Sequence, residues 1–235
     1  TPYSDQIRRV FLADGDPLVL SNARLLPILD KLKSTFPRLT RISTYASPGN
    51  LNRKSLYELQ ELKDAGLDLL YVGIESGDDK VLRIVNKGET QHSTIQGLNQ
   101  SKEAGLHSSV MIINGLGGLE LSKQHALNSA KLLNETQPKY VSTLVLSHYK
   151  GIQHFKERFD GEYIHMNQIE LFEEMKLFMQ TLELNESIFR SDHASNYLIL
   201  KGVLGRDKEK FMSQIEMALQ HPSVAGLRDE NLRGF

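Results

Sequence analysis

Short apolar runs return along the chain about every 30 residues, and each gives way to a polar turn and then to apolar positions at helical spacing. Residues 8–13, 41–46, 69–74, 107–113 and 140–146 read as strands. The third is apolar enough to be buried on both faces. The turns that follow them are Asp14-Gly-Asp-Pro17, Ser47-Pro-Gly-Asn50, Glu75-Ser-Gly77, Asn114-Gly-Leu-Gly-Gly118 and Ser147-His-Tyr-Lys-Gly151. The first helix is expected from a Ser21 cap, with Leu25, Leu26, Leu29 and Leu32 on one face. The second is expected from a cap near Asn52, burying Leu56, Leu59 and Leu62 and ending at Gly66. Beyond Gly77 the helical pattern splits around Asn86-Lys-Gly88 and resumes through Ile95, Leu98 and Lys102 to Gly105. A further helix is expected over about residues 122–134. This alternation is the signature of βαβ units and a parallel sheet, and right-handed crossovers would line the polar turns along one rim.

After residue 151 the rhythm changes. Residues 168–184 form a long amphipathic helix with Leu171, Phe172, Met175, Phe178, Met179 and Leu182 on its apolar stripe. Residues 189–197 read as a polar connection, 207–219 as a last helix, and the tail beyond Pro222 as frayed. The chain is therefore expected to be an α/β protein in two parts. Residues 1–150 would form a partial barrel, and residues 151–235 a C-terminal helical extension packing on it.

Composition narrows the picture. At 235 residues, with 40% hydrophobic and 24% charged side chains, the chain has the makeup of an ordinary soluble domain. No apolar run approaches the roughly 20 residues of a membrane helix, and no secretory signal is present, so a cytoplasmic protein is expected. A net charge of −1 gives no electrostatic case for nucleic acid or for an acidic membrane. The absence of cysteine excludes disulfides, thiolate metal sites and a cysteine nucleophile. The chain begins at Thr1 rather than Met, so a further segment upstream is expected.

Each turn carries chemistry with a plain structural alternative beside it. The two acids of Asp14-Gly-Asp-Pro17 suit an ammonium group, ribose hydroxyls or a divalent cation, or else bond their own backbone in a turn fixed by Pro17. Glu75 closes an apolar strand and must be solvated or paired. Ser76 fits either a ligand contact or, with Asp79, a capping box. The glycines of 114–118 let backbone approach a ligand but match neither a dinucleotide fingerprint nor a phosphate loop. The eight histidines show no zinc spacing; His148 and His193, both in polar loops, are the two to follow.

Taken together, Leu12-Ala-Asp-Gly-Asp-Pro-Leu18, Tyr45-Ala-Ser-Pro48, Val72-Gly-Ile-Glu-Ser-Gly-Asp-Asp79 with Asn86-Lys-Gly88, and Gly115-Leu-Gly-Gly118 resemble, in order, the motifs of radical S-adenosylmethionine (radical SAM) enzymes. Phe189-Arg-Ser-Asp-His-Ala-Ser-Asn-Tyr197 and Arg206-Asp-Lys-Glu-Lys210 are similar to one largely uncharacterised branch of that superfamily. The resemblance spans residues 8 to about 220 and implies a partial (β/α)6, TIM-barrel-like core that binds SAM at the carboxyl ends of its strands. It implies that Gly15 and Asp16 stand where a Gly-Gly-Glu-Pro motif holds the methionine amino group, with Asp16 one methylene shorter than the usual Glu. Tyr45 and Ser47 belong to the second strand end of the same site. Glu75 and Ser76 match positions that meet the ribose and methionine portions, and Lys87 a basic position for the carboxylate. Gly115, Leu116 and His148 lie where adenine is bracketed. Arg190, Asp192, His193 and Asn196 are the candidates for the substrate side.

The resemblance further implies a [4Fe–4S] cluster on a Cys-x-x-x-Cys-x-x-Cys loop ahead of Asp14, with reductive cleavage of SAM to a 5′-deoxyadenosyl radical. This chain has no cysteine, so those ligands are expected upstream, and these residues alone are expected to be inactive. No metal ligand is assigned within the chain. The expected partners are an electron donor and an unidentified substrate, small or macromolecular. Two other readings remain: a cluster-independent barrel lyase or aldolase using Asp14, Asp16 and Glu75, and a degenerate binding protein without catalysis.

Overall fold

The computed structural model describes residues 4–234. Its strands are β1 (Arg9–Leu12), β2 (Arg41–Tyr45), β3 (Leu67–Glu75), β4 (His107–Asn114), β5 (Tyr140–Val145), β6 (Ile188–Ser191) and β7 (Leu200–Val203). They lie in one sheet in sequence order. The helices are α1 (Asn22–Thr35), α2 (Pro48–Arg53), α3 (Leu56–Asp64), α4 (Asp79–Ile84), α5 (Gln91–Glu103), α6 (Gly118–Thr136), α7 (Ile152–Lys156), α8 (Gln168–Thr181) and α9 (Lys208–Gln220). The mixed α/β fold class expected from the periodicity is the one observed. The chain forms two compact units. One holds the residues up to Ile74 with His92–Val110, the other Glu75–Gln91 with Met111 onward.

In the first unit β1 pairs with β2 in parallel from Arg9↔Arg41 to Leu12↔Thr44. β2 pairs with β3 in parallel, with a register shift between Ile42 and Ser43. Ile42, Leu67 and Leu70 on the strands are buried, β3 on both faces, and so are Leu25, Leu29, Leu59 and Leu62 on the i, i+3/i+4 helix stripes. The second helix begins later than expected. Ser55, not Asn52, caps α3, in a reciprocal capping box with Glu58, and Ser47 caps the short α2 with Pro48 at its first position.

In the second unit β5 pairs with β6 in parallel, and β7 returns antiparallel to β6. Residues 189–197 are therefore not wholly a connection: their first part is strand. α8 starts at an Asn167–Glu170 capping box and packs against α6 and α9, burying Phe172, Phe178 and Met179. Phe189 of β6 meets Phe211 of α9 with ring centroids 5.6 Å apart. α6 starts four residues before the expected position, at Gly118, whose φ of +63° and the 2.9 Å between a Cβ built there and the Ile164 carbonyl both call for glycine.

Candidate functional site

The first unit supplies the turns after β1 and β2. Asp16 Oδ1 accepts the Leu18 N–H at 2.9 Å, while Oδ2 accepts the Ser47 N–H at 2.6 Å and Asn50 Nδ2 at 2.7 Å. Asp16 is thus committed to its own chain, binding the turn after β1 to the turn after β2. Gly15 takes φ +97° and has nothing within 4 Å of a built Cβ. Asp14 also takes a left-handed conformation, φ +65°, which short polar side chains tolerate. Behind the turn, Lys54 is buried, and its Nζ donates to the Leu20 carbonyl at 2.8 Å and to Asn22 Oδ1 at 3.1 Å. Burial pulls its ammonium below the usual lysine range, against Glu58 and Asp16, which pull the other way. Tyr45 is half exposed and meets Phe11 and Tyr71 edge to face, with centroids 4.8 and 6.4 Å away. Sequence reasoning named Tyr45 and missed its two partners and Lys54.

The second unit carries the corner after β3. Glu75, the last strand residue, has φ +65°, an uncommon conformation for a long side chain. Its Oε1 accepts Lys87 Nζ at 2.8 Å. Lys87 is held between Asn86 (φ +54°) and Gly88 (φ +77°), with its N–H donating to the Leu82 carbonyl at 2.9 Å. Sequence reasoning selected both residues, and the structure brings them into direct contact.

Ser76 is fully buried. The Ile113 carbonyl, 3.0 Å from His125 Nε2, can only accept, so Nε2 carries a proton. In the neutral ring Nδ1 then accepts the Ser76 hydroxyl at 2.8 Å, while Ser76 Oγ accepts the Asp78 N–H at 3.0 Å. The Ser76 side chain faces α6, and the cap of α4 is Asp78, not Ser76. Asp78 Oδ1 accepts the Val81 N–H and Gln124 Nε2, and its Oδ2 accepts Asn128 Nδ2. Burial pushes this carboxyl up, but those donors outweigh it and hold it below the usual range. Gly77 follows where α6 passes so close that a Cβ would lie 2.5 Å from the Asn128 carbonyl oxygen.

After β4, the Gly115 N–H donates to Glu174 Oε1 at 2.7 Å, and Tyr163 Oη donates to the Gly115 carbonyl at 3.1 Å. Glu174 is buried, its Oε2 has no partner, and its Oε1 lies 3.9 Å from His125 Nε2. Burial first, then the Glu174 charge, pushes the Tyr163 phenol up. Leu116 packs with Val81 and Leu121. Glu174 and His125 were missed, although each sits on an apolar stripe, between Leu171 and Phe178 and between Leu121 and Leu132. A polar residue on such a stripe is the available signal.

After β5, His148 lies edge-on to Phe155, Tyr163 and His165, with centroids 5.2, 5.8 and 5.2 Å away. Its Nε2 is buried without a partner. Burial, then the like charge of His165, pulls this imidazole below its ordinary range.

The four candidates on β6 and beyond separate. Arg190 is exposed, Asp192 pairs with Lys201 at 2.8 Å, and His193 Nδ1 accepts the Ser195 N–H at 3.1 Å. Asn196 is buried and completes the end of β5, donating from Nδ2 to the Thr143 carbonyl and accepting the Val145 N–H at Oδ1. The tail expected to fray is held on this segment. Arg228 donates to the His193 and Asn196 carbonyls, and Arg233 donates to the Ser195 carbonyl and covers the Tyr197 ring at 3.6 Å. Among the described residues no cluster of three His, Asp or Glu could hold a metal ion, and no helix is long and apolar enough to cross a membrane.

Acids and a lysine thus lie at strand ends beside glycine turns, the position at which barrel-type α/β folds hold ligands. Residues 3–133, more than half of the chain, match the family model described as the Radical SAM superfamily. The chain belongs to that superfamily. It is 24% identical over 141 residues to the heme chaperone HemW of Bacillus subtilis (strain 168), covering 59% of this chain and 37% of HemW. Among solved structures it resembles the radical SAM coproporphyrinogen III oxidase HemN of Escherichia coli, with a TM-score of 0.60 and 20% identity over 74% of this chain and 41% of that one. It also resembles the archaeal Elp3 of Methanocaldococcus infernus, with a TM-score of 0.57 and 16% identity over 95% and 60%. The chain thus spans well under half the length of HemW and HemN. These likenesses support the barrel-type radical SAM core fold.

Proposed function

We propose that these residues are the SAM-binding core of a radical SAM enzyme, with SAM held at the carboxyl ends of the strands. The observation that carries the reading is the Glu75–Lys87 pair at the end of β3, in a chain of this superfamily. SAM ends in an amino acid bearing one ammonium and one carboxylate, and the pair offers the opposite charge to each. The donor set fits in two further respects. His148 Nε2, buried and unpartnered after β5, is a hydrogen-bonding group available to a heterocycle such as adenine. The Gly115 peptide, held on both sides by Glu174 and Tyr163, fixes the backbone beside Leu116. The first unit's candidates, Gly15, Tyr45 and Ser47, rest on the resemblance alone, and there Asp16 fixes the two turns.

A [4Fe–4S] cluster does not fit these residues. Its iron takes thiolates, and the 235 residues contain none. The chain's own part is accordingly to bind and orient SAM and to keep water from it; the radical that the cofactor supplies in this superfamily requires cluster ligands beyond these residues. Arg190, Asp192 and His193 are assigned to the substrate side, whose chemistry the superfamily leaves open.

The test is the melting temperature of the 235-residue chain with and without SAM. Saturation at about 100 times the dissociation constant stabilises the folded state by about 2.7 kcal/mol, a shift of several degrees. No shift at millimolar SAM removes the proposal.

A further inference from the structure

We infer that Tyr197 gates a second ligand site, an apolar cavity beneath the C-terminal tail, whose ligand is a compact cation with an apolar end carrying one hydrogen-bond donor. The site lies wholly in the second unit and stands whether or not SAM binds after β3. Three observations support it.

Two spaces share one wall. The inner is a cavity of about 20 Å³ between α8 and the ends of β4 and β5, walled by Val145, Phe172, Met175, Leu198 and Leu200. That is room for one water-sized guest. The outer is an open hollow of about 440 Å³ beside the tail, a size usual for small-molecule sites. Tyr197 lines both, so turning its ring aside joins them.

The inner cavity holds an unmet acceptor. Its polar walls are Asn114, Ser191 and Asn196. Asn196 is spent on β5, but Asn114, 3% exposed at the end of β4, has no partner for its Oδ1. Buried amide oxygens are nearly always hydrogen-bonded, and this one calls for a donor from whatever fills the cavity. The outer hollow offers two carboxylates, Asp229 and Glu230, and Asp229 makes no cap bond to its own turn. A donor-tipped apolar group inside and an ammonium outside satisfy both ends.

The gate has a latch. Arg233 lies 3.6 Å over the Tyr197 ring with its side chain 8% exposed, donates from Nε to the Ser195 carbonyl at 2.8 Å, and pairs with Glu230 at 2.6 Å. Glu230 in turn is hydrogen-bonded to the Tyr197 phenol. Arg228 donates its N–H to the Tyr197 carbonyl and its guanidinium to the carbonyls of His193 and Asn196. These contacts are polar, whereas Val224 and Leu232 of the tail stay exposed. A segment held by hydrogen bonds, with little apolar surface buried, opens locally at less cost than global unfolding.

The experiment is titration of the 235-residue chain, followed by NMR of the Val145, Leu198 and Leu200 methyl groups. Three probes are used: tyramine, with an ammonium and a phenolic donor; phenethylamine, without the donor; and para-hydroxyphenylpropionate, with a carboxylate in place of the ammonium. Tyramine should shift all three residues and bind about tenfold more tightly than the propionate and about fivefold more tightly than phenethylamine. Asp229→Asn should remove most of the preference for the cation, and Arg233→Ala should tighten tyramine severalfold by raising the open population. The ring reports on the latch separately. Burial first, then the Glu230 hydrogen bond, pushes the Tyr197 phenol up to about 12, against the pull of Arg233. In Arg233→Ala a freed ring titrates lower, toward the ordinary 10.0, whereas a ring that stays in place without its cation titrates higher. Absorbance titration tells the two apart, and a phenol that rises overturns the gate. Methyl groups unmoved by millimolar tyramine overturn the site, and equal binding of tyramine and either other probe overturns the ligand class. Each of these results leaves the SAM reading standing.

Discussion

Asp16 Oδ2 accepts the backbone N–H of Ser47 at 2.6 Å, so the carboxylate that ends the first turn fastens the second. With Leu18 and Asn50 it collects three donors on two oxygens. Asp16→Ala should lower unfolding free energy by about 1.5–3 kcal/mol, the usual loss for hydrogen bonds to a charged acceptor. Asp16→Asn, which keeps one acceptor oxygen, should lose less. Urea denaturation of the two variants checks this; an Ala variant as stable as the native chain would show that the turns are held by something else.

The Ser76 hydroxyl is spent on His125. Ser76→Ala should cost about 1–3 kcal/mol by leaving a buried imidazole nitrogen without its donor, yet SAM affinity should stay within about twofold. Denaturation and binding measured on the same sample separate the two effects. A large loss of affinity at full stability would mean that the hydroxyl faces the ligand.

Gly77→Ala should be among the most damaging single changes in the chain. The added Cβ would fall 2.5 Å from the Asn128 carbonyl oxygen and 2.6 Å from Ser129 Cα, both backbone atoms that cannot move aside singly. A cost of about 3 kcal/mol is expected. Gly15→Ala, with open space around it and only its φ of +97° to oppose it, should cost about 1 kcal/mol. Thermal unfolding of the pair gives the comparison.

Asp78 gives a pH signature. Its carboxyl is held below the ordinary aspartate value of 3.8, so the folded state favours the ionised form more than the unfolded state does. That stabilisation is complete above the unfolded value and is lost as pH falls through 3.8 toward the folded value. The stability difference between the native chain and Asp78→Asn should therefore be constant above about pH 5 and shrink below about pH 4. Urea midpoints across that range check it, and a difference independent of pH would contradict the assigned donors.

The strands from β1 to β5 and most helices were legible because their information is local. Residues 67–74 are apolar almost throughout, and the helices repeat at 3.6 residues. β6 and β7 were not. Four residues each, they carry Arg190 and Ser191 or Lys201 and Gly202, and they become strands only by pairing with β5 and with each other. Ser47-Pro48 and Ser55-Leu-Tyr-Glu58 did carry cap signals, but the nearby Asn52 drew the expected helix start to itself. The candidate site was legible as residue types and not as partnerships. Glu174 meets Gly115 across 59 positions and Asn196 meets Val145 across 51, and no periodicity encodes such contacts. The same limit hid the commitment of Asp16 and Ser76 to their own chain.

The most direct test is equilibrium binding of SAM by the native 235-residue chain and by Glu75→Ala under identical conditions. The expected result is saturable one-to-one binding by the native chain and a loss of at least about tenfold in the variant, with melting temperature preserved to within a few degrees. Equal affinity in the two proteins, or no binding by the native chain, would contradict the placement of SAM at the end of β3.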